Sequence, residues 1–255
     1  MKKSLFFLSL SVLGLFNLND VFAESHATWD LFLRTYVHEG WVEYKKLHGD
    51  WKSQEHLLRK YLKSIEKYSR TEVEGWNRSE QMAYYINAYN AYTISLILDH
   101  YPVESIKEIN KNALGIGPGP WKEPIIKLMG ETHDLDWLEH EVLRPVFKDA
   151  RVHAAINCAS KGCPKLQSFA FVANKLDSQL TQVMKEFVQD PQKNKFDHSS
   201  KKAEISKIFK WFEADFKLSV REFLLNYVAG KDHDLLKDLA LTVEYLEYDW
   251  DLNEK

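Results

Sequence analysis

The spacing of hydrophobic and polar residues along this chain predicts several helices and fewer strands. The clearest helix covers residues 77–98, where apolar, aromatic and small residues occupy nearly every face, as is typical of a central helix. Asn77 and Glu80 have the spacing of a capping box at its start, with Ser79 as an alternative cap, and Tyr101-Pro102 ends it. Asn87 falls within a stripe of alanine, isoleucine and leucine side chains. We therefore expect its amide to be buried and hydrogen-bonded.

A second helix is predicted to begin at its cap, Asp134, and to end at Leu143 or Arg144. On a helical wheel Glu139 lies about 40° from an apolar face. The residues that form this face are Leu135, Val142 and Val146. Because a carboxylate in an apolar environment needs a partner, we expect Glu139 to be buried and hydrogen-bonded.

The remaining pattern predicts shorter elements of both kinds. Helices are expected at 54–68, 172–188, 207–216 and 220–228, and strands at 42–44, within 121–129 and at 241–250. This mixture indicates a helix-rich α+β fold: a single domain around a central buried helix, with a small, mostly antiparallel sheet.

Both cysteines of the chain lie in one stretch, which reads Arg151-Val-His-Ala-Ala-Ile-Asn-Cys-Ala-Ser-Lys-Gly-Cys-Pro-Lys-Leu166. Residues 152–157 alternate in polarity, which predicts a strand that leads into a Ser/Gly/Pro loop. Loops that follow regular elements often carry functional residues, so this loop is the candidate site. On a straight strand His153 and Cys158 would point to opposite faces. They would approach each other only if the chain turned near Asn157.

The N-terminus has the pattern of a signal peptide at residues 1–23, with a basic start, a short apolar run and Ala23 at the predicted cleavage site. The run is too short to span a bilayer, which takes about 20 residues, and no later segment is long and apolar enough. We therefore expect an exported protein, periplasmic or secreted, whose residues 24–255 form one globular domain without a transmembrane segment.

The amino-acid composition of the chain limits the classes of molecule that it is expected to bind. The chain is 45% hydrophobic and 13% aromatic, which is enough to fill a core. Its formal net charge of −3 and the lack of a basic block argue against nucleic acid as a partner. A small molecule or a peptide is the expected ligand, no cofactor is expected, and the oligomeric state stays open.

The cysteine pair has several interpretations. In an exported protein Cys158 and Cys163 are expected to form a disulfide. Closing so short a loop would contribute only about 2 kcal/mol, so its main effect would be on the shape of the loop. Alternatively, Cys158 is a free thiol nucleophile. Zinc ligation with His153 and His140 is a weaker alternative because the spacing is loose, and disulfide exchange is weaker still because Cys-x4-Cys is not Cys-x-x-Cys.

Several phrases together resemble the domain-of-unknown-function 547 family. They are Tyr84-Tyr-Ile-Asn-Ala-Tyr-Asn-Ala91, Leu135-Asp-Trp-Leu-Glu-His140, the cysteine stretch 151–166, residues 205–216 and Tyr248-Asp-Trp-Asp-Leu-Asn253. The similarity runs from about Tyr36 to Asn253. Residues 154–157 depart from it, since the family more often has Phe-Ala-Leu-Val there. The resemblance is compatible with a papain-like or transglutaminase-like fold, and it marks these positions: Asn87, Asn90, Glu139, His140, Arg144, His153, Cys158, Ser160, Cys163 and Pro164.

Two hypotheses for function follow. In the first, the protein is a thiol-dependent hydrolase or acyl transferase for a peptide-like or amide substrate. The expected catalytic residues are Cys158, His153, His140, Glu139 and Asn87, and the expected ligand contacts are Asn90, Arg144, Ser160 and Asn157. In the second, it is a non-enzymatic envelope domain that binds a ligand or partner, with Cys158–Cys163 as a structural disulfide.

Overall fold

The long helix α5 (Arg78–His100) runs through the centre of the molecule. The computed structural model describes residues 18–53, 55–112, 114–217 and 219–255, and the side chains from residue 26 onward. All side chains of α5 from Met82 to Leu98 are buried. Asn77 accepts hydrogen bonds from the backbone N–H groups of Ser79 and Glu80, and the Glu80 carboxylate accepts one from the N–H of Asn77. The predicted central helix and its capping box are confirmed.

Shorter helices precede and follow α5 in the chain. They are α1 (Leu18–Tyr36), α2 (Tyr44–His48), α3 (Leu57–Ile65), α4 (Arg70–Gly75), α6 (Arg144–Phe147), α7 (Val152–Ala155), α8 (Leu176–Gln189), α9 (Ile208–Trp211), α10 (Val220–Leu224) and α11 (Gly230–Lys237). A π-helical segment covers Trp137–Leu143, and 3-10 turns cover Ile106–Glu108, Pro120–Lys122, Ala173–Lys175 and Glu213–Asp215. Together they bury one continuous apolar core.

The strands are short and form three separate sheets among the described residues. Two are antiparallel pairs, β1 (Val37–His38) with β2 (Trp41–Val42) and β3 (Ile126–Leu128) with β4 (Glu131–His133). The third has the order β5 (Lys195–Asp197), β6 (Lys202–Ile205), β7 (Thr242–Tyr245), with β5–β6 antiparallel and β6–β7 parallel. The helix-rich α+β class is confirmed, although the predicted single sheet is divided into three.

The predicted strand at 152–157 is wrong. Residues 152–155 form α7, and the extended conformation begins only at Ile156. All six residues are buried, so the alternation of residue types does not correspond to an alternation of solvent exposure. Ala154 and Ala155 have high helix propensity, and the N–H of Val152 is bonded to the C=O of Asp149, which starts a helical turn.

The helix predicted from Asp134 is present but is wider than expected. Asp134 caps it, since its Oδ1 accepts from the N–H of Trp137 at 2.7 Å. The following residues take π-helical geometry, which changes the angle between successive side chains. Val146, expected on the buried face, is therefore 51% exposed, whereas Glu139 is buried as predicted.

Two asparagines of α5 attach other segments to it. The Asn87 amide donates to the C=O of Phe171 at 2.8 Å and accepts from its N–H at 3.0 Å. Asn90 does the same for the chain that follows α7: it donates to the C=O of Ala155 at 2.9 Å and accepts from the N–H of Asn157 at 2.8 Å. These bonds fix where the cysteine loop leaves the core.

The predicted signal peptide, residues 1–23, lies largely outside the described residues, and α1 includes the expected cleavage position after Ala23. Within the described part of the chain, no helix is long and apolar enough to cross a bilayer.

The hydrogen bonds of Asn87 lead to a stability prediction. Asn87→Ala would leave the N–H and C=O of Phe171 buried and unpaired, and each orphaned group costs about 1–3 kcal/mol. We expect the free energy of unfolding to fall by about 3 kcal/mol in urea titrations. The matched control is Asn226→Ala at an exposed site, which should change stability by less than about 0.5 kcal/mol. Equal losses in the two variants would contradict a structural role for Asn87.

Candidate functional site

The cysteine loop is held in shape by the side chain of Asn157. Its amide donates to the C=O of Pro164 and accepts from the N–H of Ala159, each at 2.8 Å. The C-terminal segment completes the support, because the N–H of Gly162 donates to the C=O of Asp249 at 2.7 Å. A Cβ at position 162 would lie 2.8 Å from that same oxygen, so only glycine fits there.

Cys158 and Cys163 are joined by a disulfide, and neither of the chain's two cysteines is a free thiol. Hydroxyl groups surround the two sulfurs. The Tyr248 hydroxyl lies 3.1 Å from each sulfur and 3.0 Å from the Ser160 hydroxyl, which is itself 3.2 Å from the Cys158 sulfur. Burial raises the pKa of Tyr248, so its hydroxyl stays protonated and is available as a donor.

The disulfide forms part of the wall of a cavity of about 150 Å³. Helices α7 and α9, the π-helical segment, α5 and the C-terminal segment all contribute to the wall. The lining residues are Tyr89, Trp121, Asp136, Glu139, His140, His153, Ile156, Cys158, Cys163, Ile208, Trp211, Phe212, Tyr248 and Trp250. Trp211 is 46% exposed and lies where the cavity opens to solvent.

His153 is buried and pairs with Asp215. Its Nε2 lies 2.7 Å from Asp215 Oδ2, and its ring stacks on Phe212 with centroids 4.0 Å apart. Burial lowers the pKa of His153 although Asp215 acts in the opposite direction. We therefore expect a neutral imidazole at pH 7 that donates from Nε2. No described residue provides a hydrogen bond to its Nδ1.

Arg144 holds Asp215 from the other side. Its Nε donates to Asp215 Oδ2 at 2.6 Å and its Nη2 to Oδ1 at 3.2 Å. The hydrogen bond from His153, and after it the one from Arg144, keep the pKa of Asp215 well below its usual range despite partial burial. Asp215 is thus a permanent carboxylate that orients His153.

His140 also contacts Arg144. The guanidinium Nη1 donates to His140 Nδ1 at 2.6 Å, and His140 Nε2 lies 3.8 Å from Asp136. Partial burial and the charge of Arg144 lower the pKa of His140. Its imidazole is therefore neutral near pH 7, with Nδ1 used as an acceptor.

Glu139 provides a buried carboxyl group in the cavity wall. The Tyr89 hydroxyl donates to Glu139 Oε2 at 3.1 Å, whereas Oε1 has no hydrogen-bond partner among the described residues. Burial raises the pKa of Glu139 from 4.5 to about 7, although the hydrogen bond from Tyr89 acts to lower it. Near neutral pH this group exchanges a proton readily, which is a common property of functional carboxyl groups.

Comparison with known proteins identifies the central part of this chain. Residues 73–188 match the family described as "Protein of unknown function, DUF547". The resemblance to the DUF547 family is confirmed for this central stretch. The matched stretch contains α5, the π-helical segment, α7 and the cysteine loop. No curated protein and no solved structure matches the chain.

The DUF547 stretch brings together five of the predicted site residues. Glu139, His140, His153, Cys158 and Cys163 line one cavity. The sequence analysis required a turn of the chain between His153 and Cys158. The structure provides it by α7 followed by extended backbone at Ile156, rather than by a bent strand.

The other five predicted site residues do not line this cavity. Asn87 and Asn90 use their amides to fix backbone, and Asn157 shapes the loop. Arg144 acts through Asp215 and His140. Ser160, also predicted as a ligand contact, contacts the sulfur of Cys158 and the hydroxyl of Tyr248.

Several cavity residues were not predicted as site residues. Trp211 falls in the helix predicted at 207–216, and Tyr248 and Trp250 fall in the strand predicted at 241–250. Asp215, which binds His153 without lining the cavity itself, belongs to the same predicted helix as Trp211. Both segments lie outside the matched DUF547 residues. The available signal was the proximity of Asp215 to an aromatic run, which does not by itself indicate a partner for His153.

A zinc site is not supported by this arrangement. The disulfide uses both thiols that zinc would need. Within the described residues, no group of three or more His, Cys, Asp or Glu side chains is placed to hold a metal ion.

The raised pKa of Glu139 predicts a pH dependence of stability. Between pH 4.5 and 7 the unfolded chain loses this proton while the folded protein keeps it. The group therefore lowers the free energy of unfolding as pH rises, by about 3 kcal/mol in total. Glu139→Gln, which resembles the protonated form, should remove this decline and gain stability relative to wild type from pH 5 to pH 8.

Urea unfolding at several pH values measures this effect. Glu141→Gln, at the exposed neighbouring acid, should follow the wild-type curve. Parallel curves for wild type and Glu139→Gln would show that the carboxyl group titrates normally.

Proposed function

We propose that this protein is an exported binding domain that holds a small ligand, or one group of a partner, in the cavity beside the cysteine loop. The observation that carries the proposal is the Glu139 carboxyl group. It is 7% exposed, lines an aromatic cavity, and has one oxygen without a partner among the described residues. This oxygen is not closed off from the open space of the cavity, so a ligand that enters the cavity can bind it directly.

The size of the cavity limits the ligand. Pockets for drug-sized molecules usually measure about 300–1,000 Å³. A volume of about 150 Å³ suits a compact group of a few non-hydrogen atoms or a single side chain. The rings at the opening, Trp211 and Trp250, provide apolar contact for the part of the ligand that extends outward.

The disulfide supports both the binding role and the proposed location. Disulfides persist in oxidising compartments, which agrees with export through the predicted signal peptide at residues 1–23. With both sulfurs in one bond, the loop presents a closed wall to the cavity rather than a nucleophile.

A cavity-filling variant tests the binding proposal. A library of small polar and aromatic fragments is screened by saturation-transfer NMR against wild type, Ile156→Phe and Ile125→Phe. Ile156 lines the cavity, and Ile125 lines a different groove between α3, α5 and β3, so the second variant is a matched control. We expect fragments whose signal is reduced at least fivefold by Ile156→Phe and unchanged by Ile125→Phe. If no fragment depends on Ile156, the cavity is not a binding site.

A second candidate is a thiol-dependent hydrolase or acyl transferase that acts after the disulfide is reduced. One observation favours it: Cys158 lines the same cavity as His153, and Asp215 orients His153. A nucleophile, a base and an orienting carboxylate are the parts of a cysteine hydrolase. With Nε2 bonded to Asp215, the base would act through Nδ1.

The reactivity of the cysteine thiols distinguishes the binding domain from the thiol-dependent enzyme. Native protein without reductant should show no titratable thiol. After reduction, the hydrolase candidate requires Cys158 to react with iodoacetamide at pH 7 at least about tenfold faster than Cys163, with the advantage lost in His153→Asn. Equal rates for the two cysteines would exclude the nucleophile and leave the disulfide as a structural clip.

A further inference from the structure

The charges that line the cavity are all of one sign. Among the described lining residues, Asp136 and Glu139 carry carboxyl groups and none is Lys or Arg. The two imidazoles in the wall, of His140 and His153, have lowered pKa values and add no positive charge at pH 7. Asp136 and Glu139 therefore supply the formal charges of the described lining, while Arg144, whose charge acts to lower the pKa of Glu139, lies behind the wall.

The nearest basic side chains are used elsewhere. Lys122 binds Asp136 at 3.0 Å from the solvent side, and Arg144 is committed to Asp215 and His140. A ligand cation would therefore not replace an existing salt bridge to Glu139 Oε1.

The rings of the wall form one connected aromatic cluster, made of Trp121, Trp211, Tyr248 and Trp250. Trp250 lies at its centre: it stacks with Trp211 at 5.7 Å, and its contacts with Tyr248 at 4.5 Å and Trp121 at 5.8 Å complete the cluster. Ring faces attract cations through their quadrupoles. This cluster already does so on its outer side, where the Lys107 ammonium lies 4.9 Å from the ring centroid of Trp250.

We propose that the cavity binds a small organic cation, an aliphatic ammonium group held between the aromatic cluster and the carboxylate of Glu139. This inference rests on the proposed binding function and names the class of ligand. The ammonium group would take the unpartnered Glu139 Oε1, and its alkyl or methyl groups would contact the rings. Quaternary and methylated amines are recognised in this way by aromatic rings.

Binding should depend on pH, because a cation favours the ionised form of Glu139. The titratable and charged groups around this carboxyl group are Tyr89 on α5, Asp136, His140 and Arg144 on its own helical segments, His153 on α7, Asp215 after α9 and Tyr248 in the C-terminal segment. Burial raises the pKa of Glu139 itself to about 7. Affinity should therefore rise from pH 6 to pH 8.

The test compares the tetramethylammonium ion with tert-butanol, a neutral molecule of similar size, by ligand-observed NMR at constant ionic strength. We expect the cation to bind wild type at least about tenfold more tightly than the alcohol, and about fivefold more tightly at pH 8 than at pH 6. Glu139→Gln and Trp250→Leu should each weaken cation binding at least fivefold. Glu141→Gln and Trp41→Leu are the matched controls and should not change it. In a separate measurement, the affinity for Nα-acetyl-lysinamide, which represents a lysine side chain of a protein, is compared with the affinity for the free amine.

The outcomes separate this inference from the function on which it rests. Equal affinity for tert-butanol and tetramethylammonium would overturn the cation inference, and so would an affinity for the cation that Glu139→Gln leaves unchanged. In either case, fragment binding that depends on Ile156 would still support the proposed binding function. If Glu139→Gln fails to fold, as judged by near-UV circular dichroism, the pH dependence in wild type decides: flat affinity from pH 6 to pH 8 overturns the inference.

Discussion

The amide of Asn90 is the constraint on which the site depends. Its two hydrogen bonds attach the end of α7 and the start of the cysteine loop to the most buried helix of the protein. Because α5 is enclosed on all sides from Met82 to Leu98, this attachment point does not move with the surface. Asn157 then transmits the fixed position to the far side of the loop through Pro164. A disulfide that closes only six residues contributes little to global stability, so the amide network positions the loop and the bridge shapes it.

The cavity combines groups whose charges are set by burial rather than by residue type. Glu139 and His153 are both mostly removed from water, and in each case burial favours the neutral form. Asp215, which is less buried, stays ionised because it receives hydrogen bonds from His153 and Arg144. The result is an aromatic pocket with one adjustable negative charge. The proposed binding of a cation requires that property, whereas an ordinary packing defect would be apolar.

Parts of the site could be read from the pattern of residues. Asn77 and Glu80 predicted where α5 begins, and the wheel position of Glu139 predicted its burial, because both depend on local spacing along one helix. The prediction of a strand at 152–157 was wrong. All residues of this segment are buried, so the alternation of residue types does not indicate which side chains face solvent. The predicted buried face was also wrong after Glu139, because a π-helical turn changes the direction of the later side chains and exposes Val146.

By itself the sequence determined the α+β class, the central helix, its cap, the family and the location of the cysteine loop, since each follows from local periodicity or from contiguous motifs. Only the tertiary structure decided that Asp215 binds His153 across 62 positions, that Tyr248 reaches the two sulfurs, and that Asn87 serves the backbone of Phe171. These pairings join segments far apart in the chain, and the energy that selects them comes from burial and from hydrogen bonds formed when the helices pack. No spacing rule along the chain contains that information.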